Sequence, residues 1–260
     1  MTHPPPTKKS NRYTTRISIE LVPRDRATLK KELAILKDQF AGVSLINIPD
    51  LTRFELRAWE GCVVAREYFT KTIPHIRAID IDPQGPIPMK NLLVDNEINE
   101  ILIVTGDPHT DPDATQYEVN AVDIIRKFRQ EMPHLKIYAA IDQYRSGFQK
   151  EMHYLWEKQE AGADGFFTQP FFDLRFMEIY GEILAGKEVF WGISPVTSEK
   201  SKAYWEKRNC VVFPKGFMPT LEWNKEFASQ ALQFARKTHT DIYFMPIRID
   251  LAQYLKGVIS

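Results

Sequence analysis

The stretch Ala161-Gly-Ala-Asp-Gly-Phe-Phe-Thr-Gln-Pro-Phe-Phe-Asp173 decides the fold class, because it joins a helix to a strand and that strand to the next helix. Its first five residues are typical of a helix stop that leads into a strand. The aromatic run that follows predicts a strand over 165–169, and an amphipathic segment predicts a helix over 174–185. This helix–strand–helix order is the repeating unit of α/β proteins with a parallel sheet.

The same alternation extends over the chain from about residue 14. Strands are predicted at 16–22, 43–47, 73–79, 100–105, 136–141, 165–169, 189–193 and 241–245. Helices are predicted at 25–40, 54–68, 89–96, 115–131, 148–161, 174–185, 199–207, 221–237 and 251–258. Eight strands, each followed by a helix, predict a single-domain (β/α)8 TIM barrel over 14–260. An open doubly wound sheet is the alternative, because periodicity does not show closure.

Composition limits the possible partners. The 260 residues contain 34 Lys+Arg and 34 Asp+Glu, so the formal net charge is zero. A chain without excess positive charge is not suited to broad binding of nucleic acid or of anionic membranes. No apolar run is long enough for a membrane span, and the N-terminus lacks the apolar core of a signal peptide. We therefore expect a cytoplasmic protein.

Two features lie outside the alternating pattern. Residues 1–13, which include three consecutive prolines, are expected to form a disordered N-terminal arm. Cys62 and Cys210 lack CxxC spacing, and we expect two buried, reduced thiols rather than a disulfide or a metal site. The segment 213–220, rich in Pro and Gly, either covers the barrel mouth or is an ordinary surface connection.

Glu20 is a candidate general acid at the end of the first predicted strand. It follows apolar neighbours and precedes Pro23, so its carboxyl should be half-buried. Burial raises the pKa of a carboxyl, and a raised pKa suits proton donation near neutral pH. The alternative is a structural ion pair with Arg16, Arg24 or Arg26.

Asp107 follows a buried strand that ends in Gly106. Glycine permits close approach of a ligand to the backbone, and the aspartate should extend into the loop above the strand. A turn or helix-capping role for this aspartate is the alternative.

Gln169 lies among four phenylalanines at the end of the sixth predicted strand. A primary amide offers a donor and an acceptor side by side, which matches the edge of a heterocyclic amide such as a pterin. The aromatic rings could enclose a flat ligand, although core packing explains each of them singly.

Other site types have weaker signals. His75, Asp80 and Asp82 lie close together in sequence, but without the spacing of a metal site. The GxGxxG and GxxxxGK[ST] patterns are both absent, which argues against dinucleotide binding of the Rossmann or P-loop type. No predicted strand ends in a lysine placed like a Schiff-base nucleophile, which disfavours an aldolase.

Together these segments identify a resemblance to bacterial methylenetetrahydrofolate reductases of the catalytic-domain-only type. The resemblance extends from about residue 16 to 247 and is strongest in the ordered set rather than in any single motif. The segments that carry it are Ser18-Ile-Glu-Leu-Val-Pro23, Pro74-His75, Thr105-Gly-Asp-Pro108, Lys158-Gln-Glu-Ala-Gly-Ala-Asp164, Thr168-Gln169, Phe171-Phe-Asp173 and Gly192-Ile-Ser-Pro-Val196.

The resemblance implies a barrel that binds FAD at its C-terminal mouth and uses NAD(P)H to reduce 5,10-methylenetetrahydrofolate to 5-methyltetrahydrofolate. It assigns Glu20 as the general acid and Asp107 as a carboxylate near the flavin and the pterin. It implies that Gln169 contacts the pterin and that Trp205 stacks on the substrate or the nicotinamide. The positions that match flavin contacts are His75, Thr105, Gly106, Asp107, Glu151 and Lys158. A homo-oligomer is also expected.

Two segments depart from the family pattern. The family often has Thr-Tyr-Gly-Ala after the second strand, where this chain has Ile46-Asn-Ile-Pro-Asp-Leu-Thr-Arg53. The family's Ala-Ala-Tyr-Pro after the fifth strand is replaced by Ala139-Ala-Ile-Asp-Gln-Tyr144. These changes suggest a divergent branch. They leave open a second hypothesis, a folate-binding subunit that is catalytically impaired or needs a partner protein. An unrelated barrel lyase is the third.

Overall fold

Eight parallel strands close into a barrel in chain order, and the last strand pairs with the first. The structure is a computed structural model that describes residues 13–109 and 111–259. The strands are β1 (Ile17–Glu20), β2 (Leu45–Ile48), β3 (Thr72–Arg77), β4 (Glu100–Val104), β5 (Lys136–Ile141), β6 (Gly165–Pro170), β7 (Glu188–Ile193) and β8 (Asp241–Phe244). The predicted (β/α)8 barrel is therefore confirmed, and the open sheet is excluded.

Helices alternate with these strands and cover the outside of the barrel. They are α1 (Arg26–Gln39), α2 (Ala58–Ala65), α3 (Lys90–Asp95), α4 (Ala121–Glu131), α5 (Phe148–Glu160), α6 (Leu174–Ile183), α7 (Glu199–Asn209), α8 (Leu221–Thr238) and α9 (Leu251–Leu255), with a short 3-10 helix at Ala78–Asp80. In α1, Leu29, Leu33 and Leu36 recur at helical spacing and are all buried. The apolar stripe that predicted this helix is thus the face that packs on the strands.

Two helices begin later than their periodicity predicts. The helix predicted from 54 starts at Ala58, because the Glu60 carboxylate accepts a hydrogen bond from the backbone N–H of Arg57 and fixes the first turn. The helix predicted from 115 starts at Ala121, since the Asn120 side chain accepts from two backbone N–H groups of that turn. Capping, rather than apolar spacing, sets both starts.

The barrel interior is filled at mid-height by large apolar side chains. The rings of Phe167 and Phe190 stack there with centroids 4.2 Å apart. The other members of this interior cluster are Leu45, Ile73, Leu102, Tyr138 and Tyr243. The interior of the barrel is therefore a packed layer of side chains and not a pore.

An ionic network closes the opposite end, where the strands begin. The Arg16 guanidinium contacts Glu100 at 2.8 Å and Asp241 at 2.9 Å, and it also pairs with Glu188. The Tyr138 hydroxyl donates to Glu100 and lies 2.7 Å from a guanidinium nitrogen of Arg16. We call this set the base network. It leaves the C-terminal mouth, where the strands end, as the open end of the barrel.

Three sequence expectations concern the ends and the thiols. Residues 1–12 of the predicted arm lie outside the described residues, while the hydroxyl of Tyr13 donates to Asp241 at 2.6 Å. Cys62 is buried and free as expected, but the expected burial of Cys210 is wrong. Cys210 is exposed because it forms the left-handed C-cap of α7, with φ 55°, where the chain turns away from the barrel.

Within the described ranges, no helix has the length and apolar character to cross a membrane.

Candidate functional site at the C-terminal mouth

Glu20 is the last residue of β1 and is 8% exposed. In the parallel register, Glu20 pairs with Asn47 of β2, and β2 in turn pairs with β3, which carries His75. Three neighbouring strands therefore deliver a carboxyl, an amide and an imidazole to the same level of the barrel.

The Asn47 amide joins these groups. Its Nδ2 lies 3.0 Å from Glu20 Oε2 and 3.1 Å from His75 Nε2, and its Oδ1 accepts a hydrogen bond of 2.7 Å from the Ser18 hydroxyl. His75 Nε2 is 3.8 Å from Glu20 Oε2. We call Ser18, Glu20, Asn47 and His75 the acid cluster.

Burial sets the protonation states in the acid cluster. It raises the pKa of Glu20 to about 8, although the hydrogen bond from Asn47 opposes this rise. Burial also lowers the pKa of His75 to about 3. At neutral pH the carboxyl is therefore mostly protonated and the imidazole is neutral. A carboxylic acid held in this form can donate a proton near pH 7.

The structural alternative for Glu20, an ion pair with a nearby arginine, is not formed in the part of the chain that the structure describes. Arg16 lies in the base network, at the other end of β1. Arg24 pairs with Glu32 on α1. Glu20 therefore keeps a raised pKa because none of the described arginines compensates for its burial.

Tyr243 of β8 lies next to the acid cluster. Its hydroxyl donates to the backbone carbonyl of Thr168 at 2.5 Å, which links β8 to β6. Burial raises the pKa of Tyr243 well above its usual value, and the charge of Glu20 adds to this rise. The tyrosine therefore stays neutral and forms part of the floor beneath the mouth.

Asp107 lies in the loop after β4, and its side chain is exposed. Gly106 before it has φ 90°, in the left-handed region that favours glycine, and a Cβ there would approach Ile79 and Arg77 to 3.1–3.2 Å. Arg77 Nη2 donates to the Asp107 carbonyl at 2.6 Å. Backbone contacts thus fix the position of this loop and leave the Asp107 carboxylate facing solvent.

The loop carrying Asp107 belongs to a larger network that sequence reasoning missed. Asp80 accepts hydrogen bonds from Arg77 at 3.0 Å and from Arg57 at 3.2 Å, and it lies 2.7 Å from His109 Nε2. Arg57 also holds the buried Asp50. This loop network connects the segments after β2, β3 and β4. No local sequence motif indicates the whole network, because it joins residues from three separate loops.

Gln169 lies at the end of β6, where the pairing with β7 shifts between Phe167 and Pro170. It is half-buried, and its backbone carbonyl accepts a hydrogen bond of 2.8 Å from Gln143 Nε2. Gln143 belongs to the divergent segment after β5, and its Oε1 is buried without a hydrogen-bond partner among the described residues. An N–H of a ligand or a bound water would satisfy that oxygen.

Trp205 of α7 is buried rather than open to the mouth, with 8% of its surface exposed. It packs edge-on against Phe172, 5.7 Å between centroids, in a cluster with Val196 and Val211. The segment 213–220 contributes Phe213 and Phe217 to the same cluster and so covers Phe172 from outside. The structure therefore places Trp205 apart from the acid cluster.

Glu151 and Lys158 of α5 are also buried, and both are bound by the chain itself. Glu151 accepts hydrogen bonds from the Asp142 N–H at 3.0 Å and from Ser146. Lys158 Nζ donates to the Ala140 carbonyl at 2.6 Å. Burial lowers the pKa of Lys158 to about 8, against the opposing effect of Glu151. These two side chains help to fix α5 on β5.

The structure thus brings together some of the predicted site residues and separates others. Glu20 and His75 meet through Asn47, whose only sequence signal was a polar residue inside the apolar run Leu45-Ile-Asn-Ile48. Thr105 and Gly106 lie in the loop that carries Asp107, beside the same mouth. A group of three or more metal-ligating side chains is not found among residues 13–109 and 111–259. Two cavities, of about 250 and 530 Å³, lie at the opposite end of the barrel, beside the starts of β3 and β7.

Comparisons with solved structures agree on the fold. A protein from Clostridium thermocellum, described as binding two copies of 5-methyl-5,6,7,8-tetrahydrofolic acid, matches over 96% of both chains with a TM-score of 0.64 and 11% identity. A 2,3-dimethylmalate lyase matches over 96% of this chain and 77% of its own, with a TM-score of 0.55 and 13% identity. An oxaloacetate acetylhydrolase matches over 92% and 77%, with a TM-score of 0.57 and 9% identity. At such identities these likenesses show the fold alone.

The comparison of sequences identifies a protein family as well as a fold. No curated protein matches the chain. The family model described as methylenetetrahydrofolate reductase matches residues 59–238, more than half of the chain. The matched part runs from α2 to the end of α8 and includes the loop of Asp107 and the strand of Gln169. The chain belongs to the methylenetetrahydrofolate reductase family.

Proposed function

We propose that this protein binds a reduced folate at its C-terminal mouth and reduces 5,10-methylenetetrahydrofolate to 5-methyltetrahydrofolate, with NAD(P)H as electron donor and FAD as cofactor. Family membership supports folate chemistry. The folate ligand of the Clostridium thermocellum protein, which has the same fold, is consistent with it. The observation that carries the proposal is the buried Glu20, whose pKa of about 8 keeps it protonated at neutral pH.

Glu20 would act as the acid that opens the bridged substrate. The bond between the bridging carbon and N10 breaks, its electron pair takes the proton of Glu20, and the carbon remains on N5 as a cationic iminium. Addition of a hydride to that carbon then gives the methyl group. A bound flavin, once reduced by NAD(P)H, would supply this hydride. The carboxylate left on Glu20 would be stabilised by the hydrogen bond from Asn47.

Asp107 and Gln169 would position the substrate. The exposed carboxylate of Asp107, on a loop fixed by Arg77, would stabilise the cationic iminium electrostatically. The Gln169 amide can pair with the donor and acceptor edge of the pterin. For Trp205, a stacking role would require the aromatic cluster around Phe172 to open, because its ring is covered there.

The His75 imidazole and the loop after β4 would form the surface that receives a flat cofactor ring. Thr105, Gly106 and Asp107 lie on one loop after β4, and the positive φ of Gly106 gives this loop its turn. His75 is neutral and offers no charge that would oppose a flavin. We therefore assign the ring-binding role to His75, Thr105, Gly106 and Asp107.

Glu151 and Lys158 are less suited than the residues of the mouth to contact FAD, because the chain itself covers and binds them. Lys158 is 4% exposed and bound to Ala140, and Glu151 is 5% exposed and bound to Asp142. This observation favours a second candidate function, in which the protein binds a folate without a flavin and acts as the partner-dependent subunit of a methyl-transfer system.

One experiment separates the two functions. We expect the purified protein, or the protein reconstituted with FAD, to show a flavin absorbance spectrum that NADH bleaches and methylenetetrahydrofolate restores. Glu20→Gln should abolish the restoration by folate and leave the bleaching by NADH intact, because only the folate step needs the acid. A protein that stays colourless after reconstitution but binds 5-methyltetrahydrofolate in calorimetry would contradict the reductase and support the second function.

A further inference from the structure

The acid cluster holds its amide in one orientation. The Asn47 Oδ1 accepts from Ser18 at 2.7 Å, and the Nδ2 faces both Glu20 and His75. An amide nitrogen carries two hydrogens, so it can serve both of these neighbours at once. Asn47 and Ser18 are fully covered, and Glu20 and His75 are more than nine-tenths covered. Water therefore has little access to compete for these bonds.

This orientation determines the proton positions on His75. Because Asn47 Nδ2 donates, His75 Nε2 must accept, and a neutral imidazole then carries its proton on Nδ1. His75 therefore cannot protonate Glu20 Oε2 or pair with it as a cation. Within residues 13–109 and 111–259, the carboxyl accepts a hydrogen bond on Oε2 and none on Oε1.

We propose that Asn47 is a positioning residue for Glu20: its amide fixes Oε2 and leaves Oε1 as the oxygen that carries the proton toward the mouth. Glu20 then presents a single protonated oxygen, Oε1, to a bound ligand. The role rests on the proposed function, since it serves an acid step. Asn47 lies before the residues that the family model matches, in a segment that differs from the family pattern given in the sequence analysis.

The groups around Glu20 make its titration simple to interpret. Among the residues that the structure describes, the titratable side chains that face it are His75 from β3 and Tyr243 from β8, and burial keeps both neutral at neutral pH. Asn47 on β2 and Ser18 on β1 are uncharged. A change in the titration of Glu20 on substitution of Asn47 would therefore report the lost hydrogen bond and not a change of a neighbouring charge.

The test measures Glu20 itself. Infrared difference spectra between the full chain and its Glu20→Gln variant, recorded across pH, isolate the carbonyl stretch of the protonated Glu20. In Asn47→Leu we expect the midpoint of this band to rise by about one pH unit, because a hydrogen bond that favours the charged form is lost. Ser18→Ala, a less disruptive substitution, should shift the midpoint in the same direction, since the Asn47 amide loses the hydroxyl that orients it.

The matched control is Asn224→Leu. Asn224 is another buried asparagine whose amide bonds backbone groups, at Val196 and Thr220, and it does not touch the acid cluster. Its loss should lower stability without moving the Glu20 midpoint. An unchanged midpoint in both Asn47→Leu and Ser18→Ala would overturn the proposal. Because the readout needs neither folate nor flavin, a failure of the proposed function would leave this result intact.

Discussion

At the scale of single residues, the balance between burial and compensation decides what Glu20 can do. A carboxyl that loses water without gaining a cation prefers its neutral form. Arg16, four residues earlier and at the other end of β1, compensates three other carboxylates instead. The single hydrogen bond from Asn47 is a weaker compensation than an arginine would be, which is why the pKa of Glu20 remains raised.

This balance has a measurable effect on stability. The folded-state pKa of Glu20 is about 8, above the usual value of 4.5, so the folded chain retains a proton that the unfolded chain releases. The free energy of unfolding should therefore fall as pH rises from about 4.5 to about 8. Glu20→Gln should remove this fall and be more stable than the parent at pH 8, by roughly 1–3 kcal/mol.

Urea unfolding of both proteins at several pH values checks this expectation. Glu32→Gln is a suitable comparison, because burial also raises the pKa of Glu32 but Arg24 opposes the rise. A difference between parent and Glu20→Gln that is constant with pH would show that Glu20 is not buried in its neutral form.

The sequence predicts the residue types of the site better than their contacts. Glu20 could be selected because a carboxyl interrupts an apolar run, and that signal is local. Its bond to Asn47 depends on the register between β1 and β2, and register is set by packing across the sheet. The burial of Trp205 likewise depends on Phe172 and on the segment 213–220, which lie far from it in sequence.

At the scale of elements, the loop network connects three loops that apolar periodicity treats as separate. The Asp80 carboxylate accepts hydrogen bonds from Arg77 and Arg57, and Arg77 also donates to the backbone carbonyl of Asp107. The position of the Asp107 carboxylate is thus determined from β3 rather than from its own strand. The predicted bounds of the strands lie within two residues of the observed ones, because the apolar runs of the strands are continuous.

We expect Arg77→Met to release the Asp107 loop. The expected result is a loss of roughly 100-fold in kcat/KM for the folate, because a displacement of about 1 Å in a positioning group can cost that much. The pH midpoint of Glu20 should stay unchanged, since Arg77 does not touch the acid cluster. Steady-state kinetics with the folate and with NADH would measure both effects.

Arg66→Met is the control for that variant. Arg66 also bonds a backbone carbonyl, at Thr70, and pairs with Glu97, but it lies at the end of the barrel where the strands begin. Equal losses of kcat/KM in the two variants would mean that Arg77 acts through general stability and not through Asp107.

At the scale of the whole molecule, the base network and the acid cluster lie at opposite ends of the barrel. The base network joins β1, β4, β5, β7 and β8 through Arg16 and its partners. The acid cluster joins β1, β2 and β3 at the mouth. Between the two lies the packed interior cluster, so a change at one end should have little effect on the other.

Arg16→Met tests this separation. The variant leaves Asp241 fully buried and without the guanidinium that it contacts, so the free energy of unfolding should fall by about 3–5 kcal/mol. The KM for the folate, measured at a temperature where the variant is folded, should be within about twofold of the parent value. A large change in KM with little loss of stability would contradict the division of roles.

The interior cluster has one further consequence. Because Phe167, Phe190 and Tyr243 fill the barrel below Glu20, and the base network closes it beneath them, the described residues leave Glu20 accessible only from the C-terminal mouth. The mouth is therefore both entrance and exit. Under the proposed function, two large ligands that need the same space above Glu20 cannot be bound at the same time, and the first must dissociate before the second binds.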